Sequence, residues 1–92
     1  MELKELLMDI RKELRCAEYY AKEAEKHKHE YPELAEVYYR ISADKMAHAE
    51  MLHKEAHKMA TKHGMTGVWE IEDYMTQHDM DEVRKCHEKY RD

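Results

Sequence analysis

Between Ile41 and Ala60 the chain reads ISADKMAHAEMLHKEAHKMA, which brings together three imidazoles, His48, His53 and His57, and three carboxylates, Asp44, Glu50 and Glu55. One Glu-x-x-His occurs, from Glu50 to His53. Residues three or four apart on a helix share a face, so a carboxylate and an imidazole at this spacing can grip a divalent cation from one helix. Glu50, His53 and His57 form a first candidate set for Zn²⁺ or another divalent ion, with the remaining ligands drawn from a partner chain. The competing assignment packs His53 in a seam of small residues and leaves Glu50 and His57 in solvent.

The elements that must carry these residues are helical. Leu3, Leu7, Ile10, Leu14, Ala17, Ala21 and Ala24 alternate by threes and fours, which predicts an amphipathic helix over about 3–28. Pro32 suits the first turn of a second helix, and Gly64 and Gly67 end it after about His63. This second helix is about 45 Å long at 1.5 Å per residue. It has two seams. One runs through Leu34, Tyr38, Ile41, Lys45, His48, Leu52 and Met59; the other, rich in small residues, through Ala35, Tyr39, Ser42, Met46, Ala49, His53, Ala56 and Ala60. Two seams ask for two neighbours, the first helix and either the C-terminal segment or a second subunit, of which the second subunit is the preferred expectation. Residues 68–90 are expected to form one or two short helices, with Val68, Ile71, Tyr74 and Met75 before a polar stretch at Thr76–Asp79, and Val83, Cys86 and Tyr90 after it.

With the loop centred between Glu30 and Tyr31, an antiparallel hairpin sets Glu13 level with His48. Glu13, Asp44 and His48 are therefore the second candidate metal set. Lys45 opens a different assignment, a polar cluster in which the ammonium pairs with Glu13 or Asp44 and His48 is hydrogen-bonded.

From Tyr31 to Leu52 the text YPELAEVYYRISADKMAHAEML is similar to the second helix of rubrerythrins and other ferritin-like proteins, where an Ala-x-x-aromatic stretch leads into Glu-x-x-His followed by Ala. Ala35, Tyr38, His48 and Ala49 fit that pattern, and AEYYAKEAEKH resembles the end of the family's first helix. The resemblance implies an all-α fold, a long antiparallel helical hairpin plus the short C-terminal helices, completing a ferritin-like four-helix bundle by dimerisation, with iron as the metal. It also assigns Lys45 to the position of the family's ligand carboxylate, three residues before His48. An ammonium repels a cation and has no lone pair to offer. Glu50-x-x-His53 lies five residues out of register, about 140° around the helix. The expectation is a non-catalytic, homo-oligomeric helical module with a decayed or partial metal site; the alternative is an iron-binding or iron-oxidising protein with its site at the subunit interface.

Composition sets outer bounds. The 92 residues are read as one helical domain, and their Leu, Ile and Val number only 12, with no Phe, so seven Tyr and eight Met must supply apolar bulk. Tyr19, Tyr20, Tyr38 and Tyr39 are accordingly read as amphipathic core and not as a redox relay. A formal charge of −5 argues against nucleic acid or an anionic membrane as partner. Protonating all eight His shifts that charge by eight units, to +3, so solubility and assembly should respond near pH 6. Cys16 and Cys86 lack CxxC spacing and are read as reduced thiols, and with no apolar run of spanning length and no signal peptide read, the expected location is cytoplasmic. No phosphate-binding loop or hydrolase nucleophile motif occurs.

Overall fold

Twenty-five residues, Leu3–His27, form α1, because leucine, isoleucine and alanine recur there with helical period and nothing in the segment breaks a helix. Lys26, in its last turn, places positive charge at the carbonyl end. The computed structural model describes residues 2–92. After a short turn, Pro32 occupies the first position of α2, Pro32–Lys62, where its missing N–H is no loss. A third helix, α3, spans Thr66–Arg91. The protein is all-α, and none of these helices is long and apolar enough to cross a membrane.

The junction between α2 and α3 is a Schellman turn. The N–H of Met65 donates to the carbonyl of Ala60 at 2.8 Å and that of Gly64 to Thr61 at 3.2 Å, with Gly64 at φ 67°. These bonds satisfy carbonyls that the end of α2 leaves without partners.

The C-terminal segment departs from expectation. It is one helix of 26 residues, as long as α1, and not one or two short ones. The polar stretch Thr76–Asp79 does not interrupt it because only Thr76 turns inward, while Gln77, His78 and Asp79 lie on the outer face. Its buried residues are Trp69, Thr76, Met80, Val83 and His87, a strip in three-four alternation. The expected anchors Val68, Ile71, Tyr74 and Met75 are exposed, because Trp69, Met80 and Val83 fix the phase of the helix about a quarter turn away.

In α1 all seven expected positions are buried. In α2 the buried residues, Ala35, Ser42, Met46, Ala49, Ala56 and Ala60, all belong to the small-residue seam. A core of Leu3, Leu6, Leu7, Ile10 and Leu14 with Met46, Trp69, Met80 and Val83 fills one part of the bundle, and alanines fill the close approach of α1 to α2. Each large aliphatic side chain so buried contributes about 1.5–3 kcal/mol. The helices run up, down and up, so α1 and α3 are parallel; Arg11 on α1 meets Glu72 on α3 at 2.5 Å, and Lys28 donates to the carbonyl of Lys89 at 2.8 Å. The C-terminal helix therefore supplies the second neighbour of the small-residue seam from within the chain.

Replacing Gly64 by alanine forces a Cβ into left-handed backbone. The substitution should cost about 1–2 kcal/mol, although nothing lies within 4 Å of the added atom. Thermal unfolding checks it: each kcal/mol corresponds to a fall of roughly 4–8 °C in a domain of this size. Gly67→Ala, inside the first turn of α3 and equally unobstructed, should instead leave the midpoint unchanged or raise it.

Candidate functional site

The antiparallel α1–α2 pair brings Glu13 beside Lys45 and His48. Glu13 Oε2 lies 3.5 Å from Lys45 Nζ and 3.5 Å from His48 Nδ1. The same oxygen is buried and makes no hydrogen bond of good geometry, so the ammonium compensates it through charge alone. Asp44 takes no part: it is exposed, about 160° around α2 from Ser42, on the side away from α1. Of the second candidate set, the structure thus unites Glu13 with His48 and leaves Asp44 outside. Lys45 supplies the positive charge in this cluster. One carboxylate and one imidazole with an ammonium between them do not fit an iron site, which needs several lone-pair donors and no competing cation.

The first candidate set also separates. Glu50 points outward, 3.7 Å from Arg84. His53 Nε2 donates to Asp73 Oδ1 at 2.6 Å; the carboxylate accepts only, so this nitrogen carries the proton and has no lone pair for a metal. His57 lies flat on Trp69, with ring centroids 5.3 Å apart and planes 3° from parallel, and His53 packs on the same indole at 5.1 Å. Among the described residues no group of three His, Cys, Asp or Glu converges to hold a metal. Trp69 and Asp73, four apart on α3, were not identified from sequence as partners of His53; the phase of α3 was the missing information.

A third cluster has no counterpart in the sequence reading. Ser42 donates its hydroxyl proton to the carbonyl of Ala17 at 2.5 Å, and His87 Nε2 lies 2.7 Å from the same Oγ. With one proton on the hydroxyl and that proton committed to Ala17, His87 must donate from Nε2. An imidazole acting as general base would have the opposite tautomer. Ser42 is therefore a structural hydroxyl, fully buried, and not an activated nucleophile. Burial, and secondarily the charge of Arg91, hold the His87 pKa below its ordinary value.

Around this pair the bundle end is closed by aromatics. Tyr39 meets His87 edge-on at 5.0 Å and stacks on Tyr90 at 4.8 Å, while Arg91 lies over the Tyr39 ring at 5.2 Å and donates to its hydroxyl. Tyr90 donates to Glu36 at 2.8 Å; this bond, with a second from Arg40, keeps the Glu36 carboxyl below its usual range. Tyr20 stacks on Tyr38 at 5.8 Å. Tyr20, Tyr38 and Tyr39 are half-buried as expected, whereas Tyr19 is exposed. Both cysteines are free, and burial raises the pKa of the Cys86 thiol, which disfavours its nucleophilic form.

A lowered His87 pKa means that the unfolded chain takes up the proton first as pH falls. Stability from this group is therefore complete above an ordinary His pKa of about 6.5 and declines below it. Denaturant unfolding of the parent and His87→Gln between pH 7.5 and pH 5 should show the parent losing stability more steeply; parallel slopes would remove His87 from the pH response.

Comparison of the chain with family models, with curated proteins and with solved structures gives no match.

Proposed function

We propose that this chain is a non-catalytic, homo-oligomeric helical module of ferritin-like descent, in which an internal ion pair stands where a metal would be held. The observation that carries the reading is the 3.5 Å approach of Lys45 Nζ to Glu13 Oε2. In the resembling family a carboxylate at the position of Lys45 would add negative charge, and two cations would neutralise the cluster. Here one ammonium does so without a cation from solution.

Self-association is supported by the surface. Although charged residues make up 40% of the chain, Val68, Ile71 and Met75 leave large apolar groups in solvent along α3, with Met8 open on α1. Contiguous exposed apolar surface on a small, highly charged helical protein points to a contact with another molecule. Most of the side chains considered as metal ligands instead tie helix to helix within the chain, Glu13 to Lys45, Glu50 to Arg84 and His53 to Asp73.

Elemental analysis of untagged protein, followed by ferrous-iron oxidation under air, tests the metal half of this reading. The expected result is no stoichiometric iron and oxidation at the buffer rate; stoichiometric iron with faster oxidation would favour iron held between subunits. Lys45→Glu restores the missing carboxylate and should increase divalent-metal binding of the folded protein. No gain would count against the register that aligns Lys45 with a family ligand. Sedimentation at micromolar concentration should show a dimer or higher even oligomer, and a stable monomer would overturn the assembly half.

A further inference from the structure

We infer that the groove between α1 and α3 is the self-association face, and that its occupant is the same groove of a second copy, related by a two-fold axis running parallel to the helices. This rests on the oligomeric reading above but assigns the contact to a face that neither seam of α2 supplies. The groove is built from parallel helices. Leu7 and Val68 line it toward one end and Leu14 and Met75 line it further along, with the Arg11–Glu72 pair crossing between them. On its α3 side it continues into Ile71, an apolar residue that is 66% exposed.

The two lips carry opposite charge. Lys4, Arg11 and Arg15 stand on the α1 lip, and Glu72 and Asp79 on the α3 lip. Glu18, also on α1, is held by Lys22 at 2.7 Å. Opposite charge on two parallel lips decides which symmetry closes the face. A two-fold axis across the helices would set basic lip on basic lip. An axis along them sets each α1 over the partner's α3, so that the basic lip meets the acidic one, with Arg15 within about one helical turn of the level of the partner's Asp79, while the apolar floor is covered. The result is a four-helix core made of α1 and α3 from each copy.

The dimensions permit it. The bundle is 20 Å across its second axis, and from Thr66 to Asp79, the last residue lining the groove, α3 rises about 20 Å. The face then offers about 400 Å² per partner, or about 800 Å² in total, the size of a weak and transient contact. A dimer that small depends on each apolar group it covers.

Analytical ultracentrifugation with variants tests the assignment. Ile71→Glu keeps a good helix former at an exposed position, so circular dichroism should be unchanged while the dimer dissociation constant rises at least about tenfold. Val37→Glu, on an exposed position of α2, is the control and should leave association intact. Arg15→Glu and Asp79→Arg should each weaken their own homodimers by placing like charges at both symmetry-related contacts. Mixed together, they should recover a heterodimer in which both contacts are again opposite. Recovery on mixing requires an intermolecular contact and supports the proposed axis. A parent that associates but is insensitive to Ile71→Glu, or is broken by Val37→Glu instead, would overturn this face and leave the oligomeric reading standing. A parent that stays monomeric would overturn both.

Discussion

The hydroxyl of Ser42 touches the main-chain carbonyl of Ala17 across 2.5 Å, and this contact is available only because α1 and α2 approach through small side chains. A larger residue at Ala17, Ala49 or Ala56 would hold the two helices apart and leave the Ser42 hydroxyl without its acceptor. The approach is close enough that a serine side chain, one of the shortest polar ones, reaches a backbone oxygen of the neighbouring helix. α3 is then held against both by large groups, Trp69, Met80 and Val83, and is joined to Ser42 through His87. The contact also selects a register. Sliding α2 by one heptad would replace Ser42 with Ala35 or Ala49, and His87 would keep its buried N–H without a partner, a loss of about 1–3 kcal/mol.

The same short distance explains the behaviour of Lys45 and Glu13. Both sit at the edge of the α1–α2 contact, where a carboxylate oxygen has already lost its water but finds no hydrogen-bond donor in good geometry. A partly buried pair of this kind contributes little net stability, since desolvation offsets most of its attraction. Its value is in forbidding alternatives: removing either charge leaves the other uncompensated at the helix boundary. His53 with Asp73 acts similarly between α2 and α3, so that each helix pair carries a polar contact of its own.

Much of this was legible in the sequence where one helix decides its own face. The α1 strip, the bounds of α2, the small-residue seam and the level of Glu13 with Lys45 and His48 all follow from period and from a short turn of fixed length. The rest depended on the rotational phase of α3. Val68 and Ile71 read as the inward side because they are aliphatic, yet Trp69 buries more apolar surface than either and, with Met80 and Val83 in alternation behind it, sets the phase. Thr76–Asp79 read as a break because four polar residues in a row hide the single one that turns inward. Without that phase neither Asp73 nor His87 could be placed beside His53 or Ser42. Asp44 shows the converse error, since sharing a helix face with His48 does not bring it to α1 when that face is already turning into solvent.

Two seams on one helix imply two neighbours, and α2 has both α1 and α3 against it within the chain. In α2 the small residues face α1 and α3, and Tyr38, Lys45 and His48 flank α1 through Tyr20 and Glu13, while Leu34, at the start of the other seam, stays exposed. In α3 the inner strip from Trp69 to His87 is covered, while Val68, Ile71 and Met75 form a second apolar strip beside it with no neighbour. In the proposed assembly this strip lies next to the basic edge of α1, and the charge on that edge is of the sign that an acidic α3 from another copy would answer.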